Sequence, residues 1–406
     1  TGTLDAALSY VKTDKTLTDE ILPANAKAVG DEIVAEADKV RSEMKRYDFN
    51  FNNYYLPVLS LVGSMDGMTK DDKKSFDYKF RDRKGTCSMK WQGASSINYP
   101  KKNFTITFDK DFEADPAWGF HKKYCLKANY IDFSHLRNIV SANIWGNIVN
   151  RRSSLKAMEN IEFSEGAFTD ENDNNIQWYS NPINYLKNAG SVDGFPIILV
   201  LNNQFYGLYT FNIPKDEWMF DMDKLPIENV GFFSANEHSR ATQFRGELKG
   251  DNSDFEVEYC STDDDSWLVD MLNAFINKCI DCNSNEAYND LYHYCDMDGI
   301  IDYMVFSLLT TNLDGVDKNF LFATFDGTKF SITAYDMDSG FGMWWNGQSY
   351  VDSKYYPTLA DLRRESRLFE LVLTYDKAKL KSRYNDIRNT VMSEDNLMNM
   401  FDNYAN

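Results

Sequence analysis

The feature that most limits the fold of this 406-residue chain is a change in the spacing of its apolar residues near position 213. Before that point, short alternating or continuously apolar runs, separated by turns rich in Asp, Gly and Lys, predict β-strands. The strand segments are 57–62, 75–82, 87–92, 103–108, 195–202 and 205–211. The last two are predicted to form a hairpin through Asn202-Asn203-Gln204.

Helical spacing dominates after Trp218 and predicts helices at 265–280, 285–312 and 360–404. One earlier helix is predicted from Leu136 to Trp145, with Asp132 or Ser134 as its N-cap. We therefore expect an α+β protein of two lobes. The predicted units are a helical segment at 1–50, a β-rich N-lobe at 51–213 and a helical C-lobe at 214–406.

Charge and composition exclude several classes of protein. The chain has 43 Lys plus Arg against 62 Asp plus Glu, a formal charge of −19, which argues against nucleic acid as a partner. Apolar residues make up 43% and aromatic residues 15%, too many for a disordered acidic chain. No run of about 18 uncharged apolar residues predicts a membrane-spanning helix, so we expect no membrane partner.

The first fifty residues differ from the rest. Small and apolar residues form a narrow helical stripe within residues 24–44, at Ala26, Val29, Ile33, Ala37, Val40 and Met44. The stripe fits either a helix packed on the domain or a short coiled coil that makes a homo-oligomer. Residues 14–18 and 23–31 resemble the N-terminal segment of phage tail and baseplate proteins. That resemblance implies a structural role in a virion tail, or in a bacterial extracellular or surface assembly.

Most familiar catalytic signatures are absent from the sequence. It has no Gly-Lys-Ser/Thr phosphate loop, no complete dinucleotide-binding glycine motif, no Gly-x-Ser-x-Gly elbow and no His-Glu-x-x-His helix. Its four histidines do not have metal-ligand spacing. The six cysteines include the close pair Cys279 and Cys282, but no second close pair follows, which favours structural or reduced thiols over a metal or redox site.

Two acidic segments are predicted to lie side by side. Residues 310–319 leave the apolar helix at 300–309 and lead into a strand at 320–325, and a second strand at 329–335 leads to residues 336–342. A turn at Asp326-Gly327 joins the strands as a hairpin. A kinase-like fold builds its metal site from such elements, with oxygen ligands that suit Mg²⁺. The alternative is that these acids are only turn residues.

Several motifs resemble those of the CotH spore-coat kinase family, a group of atypical protein kinases. They lie in the family's order between about residues 55 and 375, in the segments 93–104, 126–138, 205–209, 312–319 and 335–342. The resemblance implies a two-lobed protein-kinase-like fold and transfer of phosphate from ATP to Ser, Thr or Tyr hydroxyls of a protein substrate.

The resemblance also implies roles for individual residues. Asp314 would be the catalytic aspartate. Mg²⁺ or Mn²⁺ would be bound by Asn319 with Asp336, and Asp338 is the alternative to Asp336 as a ligand. Phosphate and nucleotide contacts would come from the N-lobe residues Gly93, Ser95, Ser96, Lys101 and Lys102.

The sequence also departs from the family pattern. No acidic residue occurs in the helix after Asp132 through Asn147, so the nucleotide lysine lacks its usual carboxylate partner. Residues 211–214 read Phe-Asn-Ile-Pro where the family often has a Glu. The competing hypothesis is therefore a catalytically weak or inactive kinase-like module in a virion tail or appendage, with a carbohydrate-binding aromatic surface as a third interpretation.

Overall fold

The computed structural model describes residues 56–151, 190–222, 229–349 and 357–405. The predicted helix or coiled coil at 24–44, and the rest of the segment 1–50, lie outside these ranges. No helix in the described part of the chain is long and apolar enough to cross a membrane.

The N-terminal part is a closed seven-stranded barrel. Its strands are β1 (Val58–Val62), β2 (Lys74–Phe80), β3 (Arg83–Gln92), β4 (Asn103–Glu113), β5 (Phe120–Lys127), β6 (Gly194–Leu201) and β7 (Gln204–Asn212). Their order is β1-β2-β3-β4-β5-β7-β6, and the parallel β1–β6 pair closes the barrel. Closure pairs the edge strands and lets inward-facing residues fill one core.

Aromatic residues fill the barrel. Phe76, Tyr78 and Phe80 alternate inward along β2. Phe80 stacks on Phe211 with 5.2 Å between ring centroids, and Phe108 meets Phe112 edge to face at 4.9 Å. The aromatic content noted in the sequence therefore serves mainly as core material in this lobe.

The predicted hairpin at 202–204 is confirmed. Strands β6 and β7 are antiparallel neighbours joined by Asn202 and Asn203, whose φ angles are +50° and +62°. Positive φ at both central residues matches the right-handed twist of the strands, and Asn tolerates it better than most residues do.

Helix α1 (Arg137–Asn150) follows β5 and is buried over most of its length. Neither predicted N-cap, Asp132 or Ser134, is confirmed: the N-cap residue is Leu136, which makes no side-chain cap hydrogen bond. Asp132 contacts the first turn from before the helix, because its Oδ2 accepts from the Arg137 backbone N–H at 2.9 Å. The guanidinium of Arg137 also lies 2.6 Å from Asp132 Oδ1. This carboxylate is fully buried, so both interactions offset the cost of its desolvation.

The C-terminal part contains a second sheet that the sequence only half predicts. Strands β8 (Gly231–Ala235), β9 (Phe255–Cys260), β10 (Phe320–Thr324) and β11 (Phe330–Ala334) are antiparallel in the order β11-β10-β8-β9. The β10–β11 hairpin was predicted, whereas β8 and β9 were not. Strand β8 pairs with β10, about ninety positions later in the chain, and local patterning does not reveal such a pairing.

Seven helices of the described chain complete this part: α2 (Ser266–Asp281), α3 (Asn285–Asp290), α4 (Met297–Leu309), α5 (Leu359–Glu365), α6 (Arg367–Tyr375), α7 (Lys377–Asn389) and α8 (Glu394–Ala405). Helix α4 is the central one, buried on nearly all sides, and it packs on α1, α6, α7 and β11. Because α4 is fixed on several faces, the loop that leaves its C-terminus starts from a rigid position.

All six cysteines are free thiols. Burial raises the pKa values of Cys125 and Cys279, which makes these thiols less nucleophilic. The close pair Cys279 and Cys282 therefore belongs to the packed interior in its reduced form.

Candidate functional site

The two acidic segments meet, as the sequence predicts. One runs from the end of α4 to β10, and the other follows β11. Two hydrogen bonds fix them to each other: the Phe341 N–H donates to Thr310 O at 2.5 Å, and the Gly342 N–H donates to Thr311 Oγ1 at 2.9 Å. These hydrogen bonds hold the two carboxylate-bearing segments next to each other.

Asp314 and Asn319 form the centre of the first segment. Asn319 Nδ2 donates to Asp314 Oδ2 at 2.6 Å, and the Asn319 backbone N–H donates to Ala235 O of β8 at 2.9 Å. Burial raises the pKa of Asp314, while the positive charge of Lys318 opposes that rise. The amide nitrogen of Asn319 faces Asp314, which leaves its Oδ1 as an oxygen donor for a cation.

The segment around Asp314 has no spare room. A Cβ added at Gly315 would lie 2.2 Å from Asn312 Nδ2, and the Gly315 carbonyl accepts from the Tyr303 hydroxyl at 2.7 Å. Glycine is therefore required here by close approach, and helix α4 positions the loop directly through Tyr303.

Asp336 is ion-paired with a lysine of the barrel. The Lys127 ammonium, at the end of β5, lies 3.0 Å from Asp336 Oδ1. Burial alone would raise the pKa of Asp336, but Lys127, with Lys215 and Lys318 beyond it, holds the pKa below its usual range. The pair joins the two halves of the chain across the site.

Asp338 is in the opposite electrostatic situation. Burial and the neighbouring charge of Asp336 raise its pKa well above the usual range. Within the described ranges, no hydrogen bond or ion pair reaches its carboxylate. The backbone between the two acids is fixed, because the Met337 N–H donates to Asn138 Oδ1 of α1 at 3.0 Å.

This donor set fits a hard divalent cation. Carboxylate and amide oxygens are the ligands that Mg²⁺ prefers, and a bound cation would favour the charged form of Asp338, which burial and Asp336 disfavour. No three His, Cys, Asp or Glu side chains of the described chain converge as a metal-binding group. A cation would therefore have to take part of its shell from Asn319, water and phosphate, as Mg²⁺ commonly does.

A small pocket that opens to solvent lies beside these acids. Its lining comes from both halves of the chain: Ser96, Tyr99, Lys101, Asn103, Lys127, Asn129, Tyr130, Ile131, Asn138, Asp336 and Asp338. Cations and amides line the barrel side, and carboxylates line the other, a combination suited to an anionic ligand with a bound metal.

The structure separates the two predicted lysines. Lys101 lines the pocket, and its Nζ donates to the carbonyls of Ala128 and Leu208 at 2.8 and 2.5 Å. Lys102 is not among the lining residues. Its Nζ donates to Ile97 O at 2.6 Å and Tyr99 O at 2.5 Å, so it holds the loop after β3.

The other predicted N-lobe residues lie in that same loop. Gly93 has a φ of +118°, and a Cβ there would lie 2.0 Å from Ser96 Oγ. Ser96 lines the pocket and accepts from Asn103 Nδ2 at 3.3 Å. Ser95 begins the short 3-10 helix Ser95–Asn98.

Sequence reasoning missed Lys127, although it lies in the segment 126–138 that was singled out. The feature that could have identified Lys127 as a site residue is its position at the end of a strand directly before a helix. That strand, β5, went unpredicted because only Tyr124, Cys125 and Leu126 are buried, while its first half is mostly polar. His238 was also missed as a site residue: its Nε2 lies 3.7 Å from Asp314 Oδ1.

The fold and the site define a class. The chain is a mixed α+β protein, with a β-rich barrel, a strand-end lysine and a following helix, and a helical C-terminal part with an Asp–x4–Asn loop and an acidic loop after a hairpin. Kinase-type phosphotransferases build their sites from elements of this kind. The sequence matches the CotH kinase protein family over residues 89–406, so the chain belongs to the CotH kinase family, a family of atypical protein kinases. No curated protein matches the chain. None of these comparisons supports the phage-tail resemblance of the N-terminal segment.

Proposed function

We propose that this chain transfers the γ-phosphoryl group of ATP to Ser, Thr or Tyr hydroxyls of a protein. The observation that carries the proposal is the convergence of Lys127, Asp336 and Asp338 on one pocket, with Asp314 and Asn319 on the segment bonded to the same acidic loop. Family membership gives the reaction class its support.

Each residue has a role that follows from its surroundings. Asp314 orients the acceptor hydroxyl and takes its proton as the oxygen attacks the γ-phosphorus. Asn319, Asp336 and Asp338 would hold Mg²⁺ or Mn²⁺, which neutralises phosphate charge when bound. Gly93, Ser95 and Ser96 would offer backbone and hydroxyl donors to phosphate.

Lys127 takes the phosphate-binding role in this proposal. Lys101 is the next candidate for that role, and Lys102 is the weakest of the three. The Lys127 ammonium already neutralises one carboxylate of the pocket, and a phosphate oxygen is a comparable partner. Lys102, in contrast, donates to two backbone carbonyls away from the pocket lining.

A second candidate function is a kinase-like module with weak or no catalysis. It is favoured by the lack of any acidic residue in α1, which leaves Lys127 paired with a proposed metal ligand instead of a helix carboxylate. In this case the pocket would bind nucleotide without efficient transfer.

Labelled ATP with Mg²⁺ or Mn²⁺ distinguishes the two functions. Active transfer predicts incorporation of label by the wild-type chain, and Asp314→Asn should lower the rate by about 10²–10⁴-fold, as for loss of a general base. Asp336→Ala should also abolish transfer. The matched control is Asp270→Asn, an exposed acid on α2.

Nucleotide binding is measured on the same variants. Binding without incorporation by the wild-type chain would favour the weak module. Incorporation that is unchanged in both Asp314→Asn and Asp336→Ala would contradict the proposed site.

A further inference from the structure

His238 lies at the solvent side of Asp314. It follows β8 by three residues, and 55% of its side chain is exposed. Its Nδ1 is 2.8 Å from Asp317 Oδ1, and its Nε2 faces Asp314 Oδ1 at 3.7 Å. The imidazole thus stands between two carboxylates of the same loop.

Asp317 fixes the orientation of the ring. Its carboxylate is buried, and its second oxygen accepts from Gln243 Nε2 at 2.9 Å. A carboxylate held in this way keeps a proton on the facing imidazole nitrogen. In the neutral ring the Nδ1–H then donates to Asp317, and the Nε2 lone pair faces Asp314.

The two oxygens of Asp314 differ in their surroundings. Oδ2 accepts from Asn319 at 2.6 Å, whereas Oδ1 faces His238 across a gap too long for a hydrogen bond. Catalytic hydrogen bonds are often long before substrate binds and tighten in the complex. Oδ1 is therefore the oxygen available to an acceptor hydroxyl, and Nε2 is the nearby group that can remove the proton it receives.

We propose that His238 relays the acceptor proton from Asp314 to solvent, an inference that rests on the proposed kinase function. The acceptor oxygen forms its bond to the γ-phosphorus, and the bond from that phosphorus to the β–γ bridging oxygen breaks with its electron pair staying on ADP. The hydroxyl proton passes to Asp314 Oδ1 and then to His238 Nε2. The imidazolium, still donating from Nδ1 to Asp317, loses the Nε2 proton to water.

The charges around the ring shift the pKa of His238 in a definite direction. The hydrogen bond to Asp317 raises the pKa of His238, Asp314 adds to the rise, and burial and Lys318 oppose it. Relay requires neutral Nε2, so kcat should fall as the pH drops through this raised pKa. Without the imidazole, that part of the pH profile should disappear.

The test measures transfer from labelled ATP with Mg²⁺ to dephosphorylated casein by the full chain. His238→Ala should lower kcat by about tenfold, less than loss of a primary acid–base group because His238 acts through Asp314. The KM for ATP should stay unchanged. Added imidazole should restore kcat in His238→Ala but not in Asp314→Asn.

A second readout needs no activity. In the ¹⁵N spectrum of the imidazole groups at high pH, His238 should show a protonated Nδ1 and an unprotonated Nε2, assigned by its loss in His238→Ala. The matched control is His293→Ala, an exposed histidine on the short helix Leu291–His293, which should leave kcat and the His238 signal unchanged.

The outcomes separate the relay from the kinase function. A wild-type chain that transfers no phosphate overturns both. An active wild-type chain whose His238→Ala variant has the same kcat and pH profile overturns the relay alone. The opposite tautomer, protonated at Nε2, also overturns it, as does a loss of kcat that imidazole fails to restore.

Discussion

The barrel and the C-terminal half contribute opposite charges to the site. The barrel side supplies the ammonium groups of Lys101 and Lys127, while the carboxylates of Asp314, Asp336 and Asp338 all come from the segments around β10 and β11. Neither half holds a balanced site alone. The comparison teaches that the charge balance of the site depends on contacts between residues far apart in the chain, with the Lys127–Asp336 pair as a direct link.

Among variants of the barrel, the largest expected effect comes from removing the Lys127 charge. A charged hydrogen bond contributes roughly 1.5–3 kcal/mol, so Lys127→Met should lower kcat/KM for ATP by about 10- to 100-fold. Lys101→Met should have a smaller effect and Lys102→Met the smallest, since Lys102 is bonded to loop carbonyls. Steady-state kinetics on the three variants give the order, and a larger loss in Lys102→Met would contradict it.

The next largest effect is expected from overpacking the loop that carries Asp314. Gly315→Ala places a methyl group against the Asn312 amide and should lower the free energy of unfolding by about 1–3 kcal/mol, the usual cost of overpacking. Transfer should fall too, because Asp314 is the adjacent residue. Denaturant unfolding measures the change, with Gly250→Ala as control: no atom lies within 4 Å of a Cβ added there. Equal stability of both variants would refute the close approach.

The two acids Asp336 and Asp338 should contribute to stability with opposite pH dependence, and Mg²⁺ binding should reveal the difference. The depressed pKa of Asp336 gives stability that is present above its unfolded value and lost as pH falls through the folded value. Asp338 has the opposite sign: its raised pKa gives stability below the unfolded value, which is lost as pH rises through the folded one. Mg²⁺ competes with a proton at Asp338, so it should raise the thermal midpoint more at pH 7.5 than at pH 5.

Thermal melts with Mg²⁺ and with a chelator measure this difference. Asp338→Asn is the control, because an amide cannot hold the competing proton, and it should remove most of the pH dependence. An identical Mg²⁺ shift at both pH values in the wild-type chain would count against Asp338 as a ligand.

The smallest effect on transfer should come from deleting residues 1–50, which precede the CotH kinase match at residues 89–406. Their deletion should leave phosphate transfer intact and reduce the oligomeric mass in light scattering if residues 24–44 form a coiled coil. An unchanged mass would favour a helix packed on the domain, and a loss of transfer would show that the segment contributes to the site.

Local patterns were sufficient for the hairpins. Asn202 and Asn203 between two apolar runs predicted the β6–β7 turn, and Asp326 with Gly327 predicted the β10–β11 turn that brings the acidic segments together. Turn residues and alternation act over a few positions, so they are visible in the sequence.

Local patterns failed for β5, β8 and β9. Strand β5 is mostly polar over its first half, and β8 pairs with β10, whose partner residues lie about ninety positions later. The family resemblance implied Lys101 and Lys102, so the lysine at the end of β5 received no role. Which lysine meets Asp336 depends on a contact across 209 residues.

The sequence by itself determined the class of this protein. Its periodicity predicted a β-rich half before a helical half, and its motifs predicted the acidic segments that the CotH kinase match covers. Only the tertiary structure decided which groups are neighbours: Lys127 on Asp336, Asn138 on the Met337 backbone, and His238 beside Asp314. Periodicity reports local burial, whereas the charge balance of a site depends on distances between elements far apart in the chain.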